Sequence, residues 1–179
     1  MVKRLVEKVL SSRRVYDGHV INLRVDTVLL PDSKQTTREI VEHPGAVAIV
    51  PKLGDEDIVL VRQFRKAVGK YLLEVPAGTV EENETPRACA HRELLEETGY
   101  RAKKLTRLAS FYLAPGYSTE LLHVYLASSL IHVTRKPEAD EFIETVIVPF
   151  DKALHWIQTG EICDAKSISA LLLTSRRKK

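Results

Sequence analysis

Apolar and polar residues change their rhythm several times along this chain. From Val20 to Val28 they run Val-Ile-Asn-Leu-Arg-Val-Asp-Thr-Val, the period-two pattern of a strand with one buried face. Pro31-Asp32-Ser33-Lys34 is a turn, so the segments on either side predict a hairpin. Ala46-Val47-Ala48-Ile49-Val50 is instead a continuous apolar run, the mark of a strand covered on both faces. Gly54-Asp55-Glu56-Asp57 turns the chain back into a strand over 58–65. Leu72-Leu73-Glu74-Val75-Pro76 is strand-like, and further strands are expected at 108–112, 121–127 and 145–148. Helical spacing is bounded by cap signals. Thr85-Pro86 reads as an N-cap with proline at the first helical position, and Gly99 reads as the stop. Asp151 is expected to cap a helix over 152–158 that ends at Gly160, and Asp164 a second one through Ala170, Leu171 and Leu172. The elements add up to an α+β or α/β sandwich, a mixed sheet between helices, preceded by a small antiparallel strand appendage. The expected division is an appendage over 1–43 and a main domain over 44–179.

Composition narrows the picture without changing it. With 179 residues, 44% hydrophobic and 28% charged, the chain is of globular type and can bury a core without staples. The formal charge of +3 is weak, and much of it comes from Arg176-Arg177-Lys178-Lys179 and the Ser12-Arg13-Arg14 region. Basic and aromatic residues do not interleave, so no nucleic-acid partner is expected. The two cysteines, Cys89 and Cys163, make no disulfide framework. The charged opening Met1-Val2-Lys3-Arg4-Leu5-Val6-Glu7 and the lack of an apolar run of about 18 residues point away from a signal peptide or membrane span, with the cytoplasm as the expected compartment.

The chemistry concentrates between Gly78 and Tyr100. Glu93, Glu96 and Glu97 stand at i, i+3 and i+4, on one face of a helix. Like charges at that spacing each cost a few tenths of a kcal/mol, and a hard divalent cation offsets the cost directly because it takes oxygen ligands. Leu94, Leu95 and Ala88 lie off that face and are expected to pack on the sheet. A solvated acidic face is the plain alternative for such a triplet. A strand, a glycine-containing loop and an acidic helix together make a cradle for a diphosphate and a metal.

Gly78, Glu84, Arg92-Glu93-Leu94, Glu96-Glu97, Gly99 and Tyr100 fill all nine specified positions of the Nudix box. The chain therefore resembles a Nudix hydrolase, a family that cleaves nucleoside diphosphates linked to another group, using Mg²⁺ or Mn²⁺. The resemblance implies Glu93, Glu96 and Glu97 as metal ligands, completed by the backbone carbonyl of Ala77, with Glu96 and Glu97 also counted as catalytic. Glu84 is expected to brace the loop against Arg92.

Outside the box, Phe111-Tyr112-Leu113-Ala114-Pro115-Gly116 places Pro115 sixteen residues beyond Gly99. That spacing is similar to the ADP-ribose pyrophosphatase subfamily, as are Arg62-Gln63-Phe64-Arg65, Leu73-Glu74-Val75-Pro76-Ala77-Gly78 and Arg38-Glu39-Ile40-Val41-Glu42-His43. The resemblance implies Arg65 on the substrate phosphate, Gly116 where backbone meets substrate, Glu120 on the far sugar, and Val20 and Glu39 on adenine. It further implies a homodimer that builds the adenine site across two subunits. By composition the acidic stretch 138–144 is a solvated loop; the resemblance implies that it supplies a late-arriving glutamate, with Glu141 the choice and Glu138 and Glu144 the alternatives. The expected reaction is Mg²⁺-dependent cleavage of ADP-ribose to AMP and ribose 5-phosphate. The competing readings are hydrolysis of another sugar nucleotide or a triphosphate, and a non-catalytic ADP-ribose-binding module.

Overall fold

A computed structural model of the protein describes residues 5–134 and 142–177. The chain forms two compact units, Met1–Pro44 with Tyr112–Glu120, and Gly45–Phe111 with Leu121–Lys179.

The first unit is a three-stranded antiparallel sheet in the order β1-β2-β3, from β1 (Lys8–Asp17), β2 (Asn22–Leu29) and β3 (Gln35–Glu42). The expected hairpin is β2–β3. Its tight turn returns Leu30 N–H to Lys34 O at 2.8 Å, with Ser33 at φ 68°. In β1, apolar residues come in pairs, Val9-Leu10 and Val15-Tyr16. Irregularities between Val9 and Ser11 and between Arg14 and Tyr16 reset its alternation, which is why no clean period marks this strand in the sequence. Every β1 residue is exposed. The Pro-Gly segment, which the linear reading leaves within 44–179, joins this unit instead. Val41 N–H donates to Tyr117 O at 2.8 Å, and Thr119 N–H donates to Val41 O at 3.0 Å.

The second unit holds a seven-stranded mixed sheet with the path β10-β5-β4-β9-β8. Its strands are β4 (Ala46–Leu53), β5 (Asp57–Arg65), β6 (Lys70–Glu74), β7 (Ala77–Thr79), β8 (Tyr100–Tyr112), β9 (Leu121–His132) and β10 (Ile143–Pro149). β4 and β9 are parallel, whereas β5 is antiparallel to β4, β6 and β10. As the central strand, β4 is buried from Ala46 to Pro51, as its unbroken apolar run requires. Val47 and Ile49 meet Cys89, Ala90 and Leu94 of α1 (Pro86–Thr98) in one core, with Tyr125, Ala127, Ala102 and Leu105 from the neighbouring strands. Side chains alternate along a strand, so Ala46, Ala48 and Val50 face the other way, and α3 (Ala165–Ser175) packs against β4 and β9. The sheet thus lies between helices, as the hydrophobic pattern implies.

Two local expectations change. Asp151 does not cap α2 (Phe150–Thr159); Pro149 occupies the N-cap without a side-chain bond, and Asp151 lies in the first turn, where its charge still suits the helix dipole. Gly78, read from sequence as loop, lies in β7, where it stands opposite Val47 of β4.

Candidate active site

α1 is built as its caps dictate. Thr85 Oγ1 accepts the Ala88 N–H at 3.2 Å, Pro86 opens the helix, and Gly99 takes the left-handed conformation at φ 74° while its N–H reaches Leu95 O. Its orientation corrects the sequence reading. Leu94 is buried and Leu95 half-buried, but Ala88 is exposed, while Glu93 and Glu97 are only 7% and 2% exposed. The acidic face is turned into the unit and away from solvent. The small Cys89 and Ala90 permit this by letting the helix sit close to β4 and β7.

Buried carboxylates need donors. Glu97 Oε2 accepts the Ala77 N–H at 3.0 Å. Glu93 lies directly over Gly78: a Cβ placed there would come within 1.9 Å of Glu93 Oε1. Both acids therefore close on the 77–78 backbone, and glycine is demanded by a side chain and not by backbone torsion. Arg92 supplies the counter-charge. Its Nε and Nη2 grip Glu84 at 3.1 and 2.9 Å, the expected brace, while Nη1 bridges Glu93 at 2.7 Å and Glu96 at 3.1 Å. Nη2 also reaches the Thr79 carbonyl at 3.2 Å. Hydrogen bonding to Glu84 is the main force holding Arg92 above its ordinary pKa, against the effect of burial, with the field of Glu93 adding to it. In return the Arg92 bond pulls Glu84 below the usual carboxylate range. Burial pushes the Cys89 thiol up, so Cys89 is a packing residue, not a thiolate.

The donors are of the type a hard divalent cation takes: Glu97 lies on the Ala77 N–H, Glu93 lies over Gly78, and Glu96 is held through Arg92. Among the described residues no three acidic, histidine or cysteine groups are placed so that they could hold a metal ion as they stand, and the Arg92 guanidinium lies between Glu93 and Glu96.

Arg65, at the end of β5, is anchored by Glu74 of β6. Its Nε lies 3.1 Å and its Nη2 2.6 Å from Glu74 Oε2. Burial opposes the Arg65 charge most strongly, yet the Glu74 bond and the fields of Glu74, Glu97 and Asp164 hold its pKa above the ordinary value. Arg65 thus shares the electrostatic neighbourhood of the box. Sequence reasoning did not single out Glu74 as a site residue, although a lone acid inside Leu72-Leu73-Glu74-Val75-Pro76 is itself a signal, because a charge in a buried strand requires a partner.

Val20, Glu39, Gly116 and Glu120 belong to the first unit. Val20 lines a cavity of about 390 Å³ with Gly18, His19, Asn22, Glu42, His43 and Pro44. Glu39 stands opposite Val25 in the β2–β3 register, is exposed, and does not line that cavity. Gly116 lies in the turn after Ala114, and a Cβ there would meet nothing within 4 Å, so the chain itself imposes no demand for glycine. Glu120 donates its backbone N–H to Ser118 Oγ at 3.2 Å. Glu141 and Glu138 lie outside the described residues. Glu144, on β10, is exposed and ion-paired with Arg62 at 3.0 Å.

A NUDIX domain profile matches residues 42–171, and a profile for the nucleoside diphosphate sugar hydrolase N-terminal domain matches residues 7–41. With the box carboxylates carried on a helix packed against the central strand of a helix-flanked mixed sheet, the chain belongs to the Nudix family. It is similar to an ADP-ribose pyrophosphatase of Bacillus subtilis (strain 168), with 42% identity over 95% of this chain and 93% of the relative. It is also similar to a methanol dehydrogenase activator of Bacillus methanolicus, with 39% identity over 96% of this chain and 94% of the relative. A solved structure of an ADP compounds hydrolase matches with a TM-score of 0.84 at 23% identity, covering 94% of this chain and 92% of that one, and speaks for the fold alone. Among the described residues no helix is long and apolar enough to cross a membrane.

Proposed function

We propose that this protein hydrolyses the diphosphate link of ADP-ribose, yielding AMP and ribose 5-phosphate. The observation that carries the reading is a complete carboxylate box within a match that spans 95% of the chain to a relative named as an ADP-ribose pyrophosphatase. Water adds to one phosphorus, the bridging P–O bond breaks, and the leaving phosphate keeps the bridging oxygen. Nudix hydrolases generally need a divalent metal. We take it here to be Mg²⁺, with Mn²⁺ as a substitute, held by Glu93, Glu96, Glu97 and the Ala77 carbonyl. When bound, it would neutralise charge on the phosphate oxygens and make a water more acidic.

The chain's own residues supply the rest. Glu97, fixed by the Ala77 N–H, keeps one oxygen committed to the backbone and so holds the box helix against β7. Arg65 would contact a phosphate, because a guanidinium fork matches phosphate oxygens. Glu141 is proposed as the group that orients the attacking water; its Gln variant should lower kcat with little change in KM. Val20 and Glu39 are proposed to hold adenine, with Gly116 and Glu120 on the substrate's other parts. Val20 and Glu39 both lie in the N-terminal strand unit, and we propose a homodimer in which that unit of one subunit completes the adenine site of the other. A fully active monomer in sedimentation at micromolar concentration would refute it. Two free cysteines, one of them exposed, suit a reducing compartment such as the cytoplasm.

One observation favours a broader substrate range: the N-terminal profile is that of nucleoside diphosphate sugar hydrolases in general. Product analysis over a panel of nucleoside diphosphate compounds, with Mg²⁺ and with chelator, tests both. AMP and ribose 5-phosphate formed from ADP-ribose only when metal is present is the expected result. A GDP- or UDP-sugar turned over tenfold faster would replace the substrate, and tight binding without products would make the protein a binding module.

A further inference from the structure

The first turn of α3 lies about ninety positions along the sequence from β6, yet it is fastened to the segment that carries the site. Asp164, the N-cap, accepts the Ser167 N–H at 3.1 Å, and the fully buried Ser167 in turn accepts the Val75 N–H at 2.9 Å. Lys166 stands between two carboxylates, with Nζ 2.7 Å from Asp164 Oδ1 and 2.9 Å from Glu74 Oε2. Glu74 is 1% exposed and is the same carboxylate that grips Arg65. Four charges thus form a chain, Arg65–Glu74–Lys166–Asp164.

We propose that Lys166 is a positioning residue of the active site, acting through Glu74 to set the direction and the effective charge of the Arg65 guanidinium for the substrate diphosphate. This rests on the assignment of Arg65 as a phosphate contact. Two observations carry it. Glu74 holds Arg65 along one edge, through Nε and Nη2, which fixes the plane of the guanidinium and leaves Nη1 without a partner among the described residues on a side chain still 38% exposed. A phosphate can therefore be met by the free end while the other edge stays held. Charge division is the second. A guanidinium paired with its own buried carboxylate is close to a neutral pair and a poor phosphate ligand. When Lys166 takes a share of Glu74, the carboxylate no longer cancels Arg65 alone. Removing the ammonium would leave Glu74 to Arg65 and quench the charge offered to substrate. A residue that only latched α3 in place would affect stability and have no reason to act through Arg65.

A double-mutant cycle separates these roles. Steady-state kinetics are measured for Arg65→Ala, Lys166→Met and the double variant, with thermal unfolding alongside. A lost charge-assisted bond to phosphate is worth about 1.5–3 kcal/mol, so Arg65→Ala should raise KM by about 10–100-fold. Lys166→Met should raise KM by about 5–10-fold with kcat within about twofold of the parent, and should have almost no further effect on KM in the Arg65→Ala background. Lys166→Gln, which keeps a hydrogen bond to Glu74 and removes the charge, should behave like Lys166→Met, and it serves if the methionine variant fails to fold. Equal KM increases from the Lys166 change in both backgrounds would overturn the proposal. So would a lowered Tm with KM unmoved. If Arg65→Ala itself leaves KM unchanged, the phosphate assignment fails and the role of Lys166 goes with it.

Discussion

Arg92 and Arg65 both sit among carboxylates, but their neighbourhoods are balanced differently. Among the described residues, Arg92 lies within ion-pair distance of Glu81, Glu84, Glu93 and Glu96. Around Arg65 the count is even, with Glu74 and Asp164 matched by Arg65 and Lys166. Under the proposed function the first cluster would take a metal ion and the second would offer a guanidinium edge to a phosphate. The structural means also differ. The box gathers its acids on α1 and the loop just before it, within a single stretch of sequence, whereas the Arg65 cluster is assembled from β5, β6 and the start of α3. A diphosphate bound with a metal ion carries both charges, and the two clusters are joined by residues 74–78. There Glu74 serves Arg65, Ala77 serves Glu97 and Gly78 makes room for Glu93.

The largest effect is expected at Glu97. Glu97→Gln keeps an oxygen for the Ala77 N–H but removes the charge, so the fold should survive while turnover falls by about 10³-fold or more and metal affinity measured by calorimetry drops with it. Turnover within about threefold of the parent would end the assignment of Glu93, Glu96 and Glu97 to metal. Gly78→Ala is the next test. The added methyl must displace the Glu93 carboxylate, the far end of a flexible side chain, and not backbone. Activity should therefore fall about 10–100-fold, the usual cost of disturbing the support of a metal ligand, with only a small change in Tm. A parental rate at ordinary metal concentration would show that Glu93 need not lie against β7.

The smallest effect concerns the brace. Hydrogen bonding from Arg92, opposed by burial, holds Glu84 below the ordinary glutamate range. A depressed carboxylate stabilises the folded state fully above its unfolded-state pKa and loses that contribution as the pH falls through the folded-state value. Thermal unfolding of the parent and of Glu84→Gln should accordingly differ at pH 7 and converge as the pH is lowered below about 4. A gap that stays constant across that range would mean the Arg92–Glu84 pair acts through shape and not charge.

Periodicity and cap chemistry carry much of the fold by themselves. The continuous run at Ala46–Val50 marks the central strand, because a strand covered on both faces has no room for polar residues. Thr85, Pro86 and Gly99 bound α1 within a residue, because caps satisfy backbone groups that no distant contact need supply. Within the box, spacing alone brings Glu93, Glu96 and Glu97 to one helix face. Other features lie beyond local rules. The sequence gives no sign that this acidic face is turned inward, because burial of Glu93 and Glu97 depends on donors from Ala77 and Arg92 that exist only once β7 and α1 are packed. The bulges of β1 hide its alternation. The pairing of the 112–120 segment with β3 is a long-range choice, made by Val41 exchanging backbone bonds with Tyr117 and Thr119. The Arg65–Glu74–Lys166 chain is the clearest case. Glu74 and Lys166 are 92 positions apart, and no period or motif relates them. Only a buried carboxylate's need for counter-charge, met by whichever cations the sheet and α3 bring to it, decides that they meet.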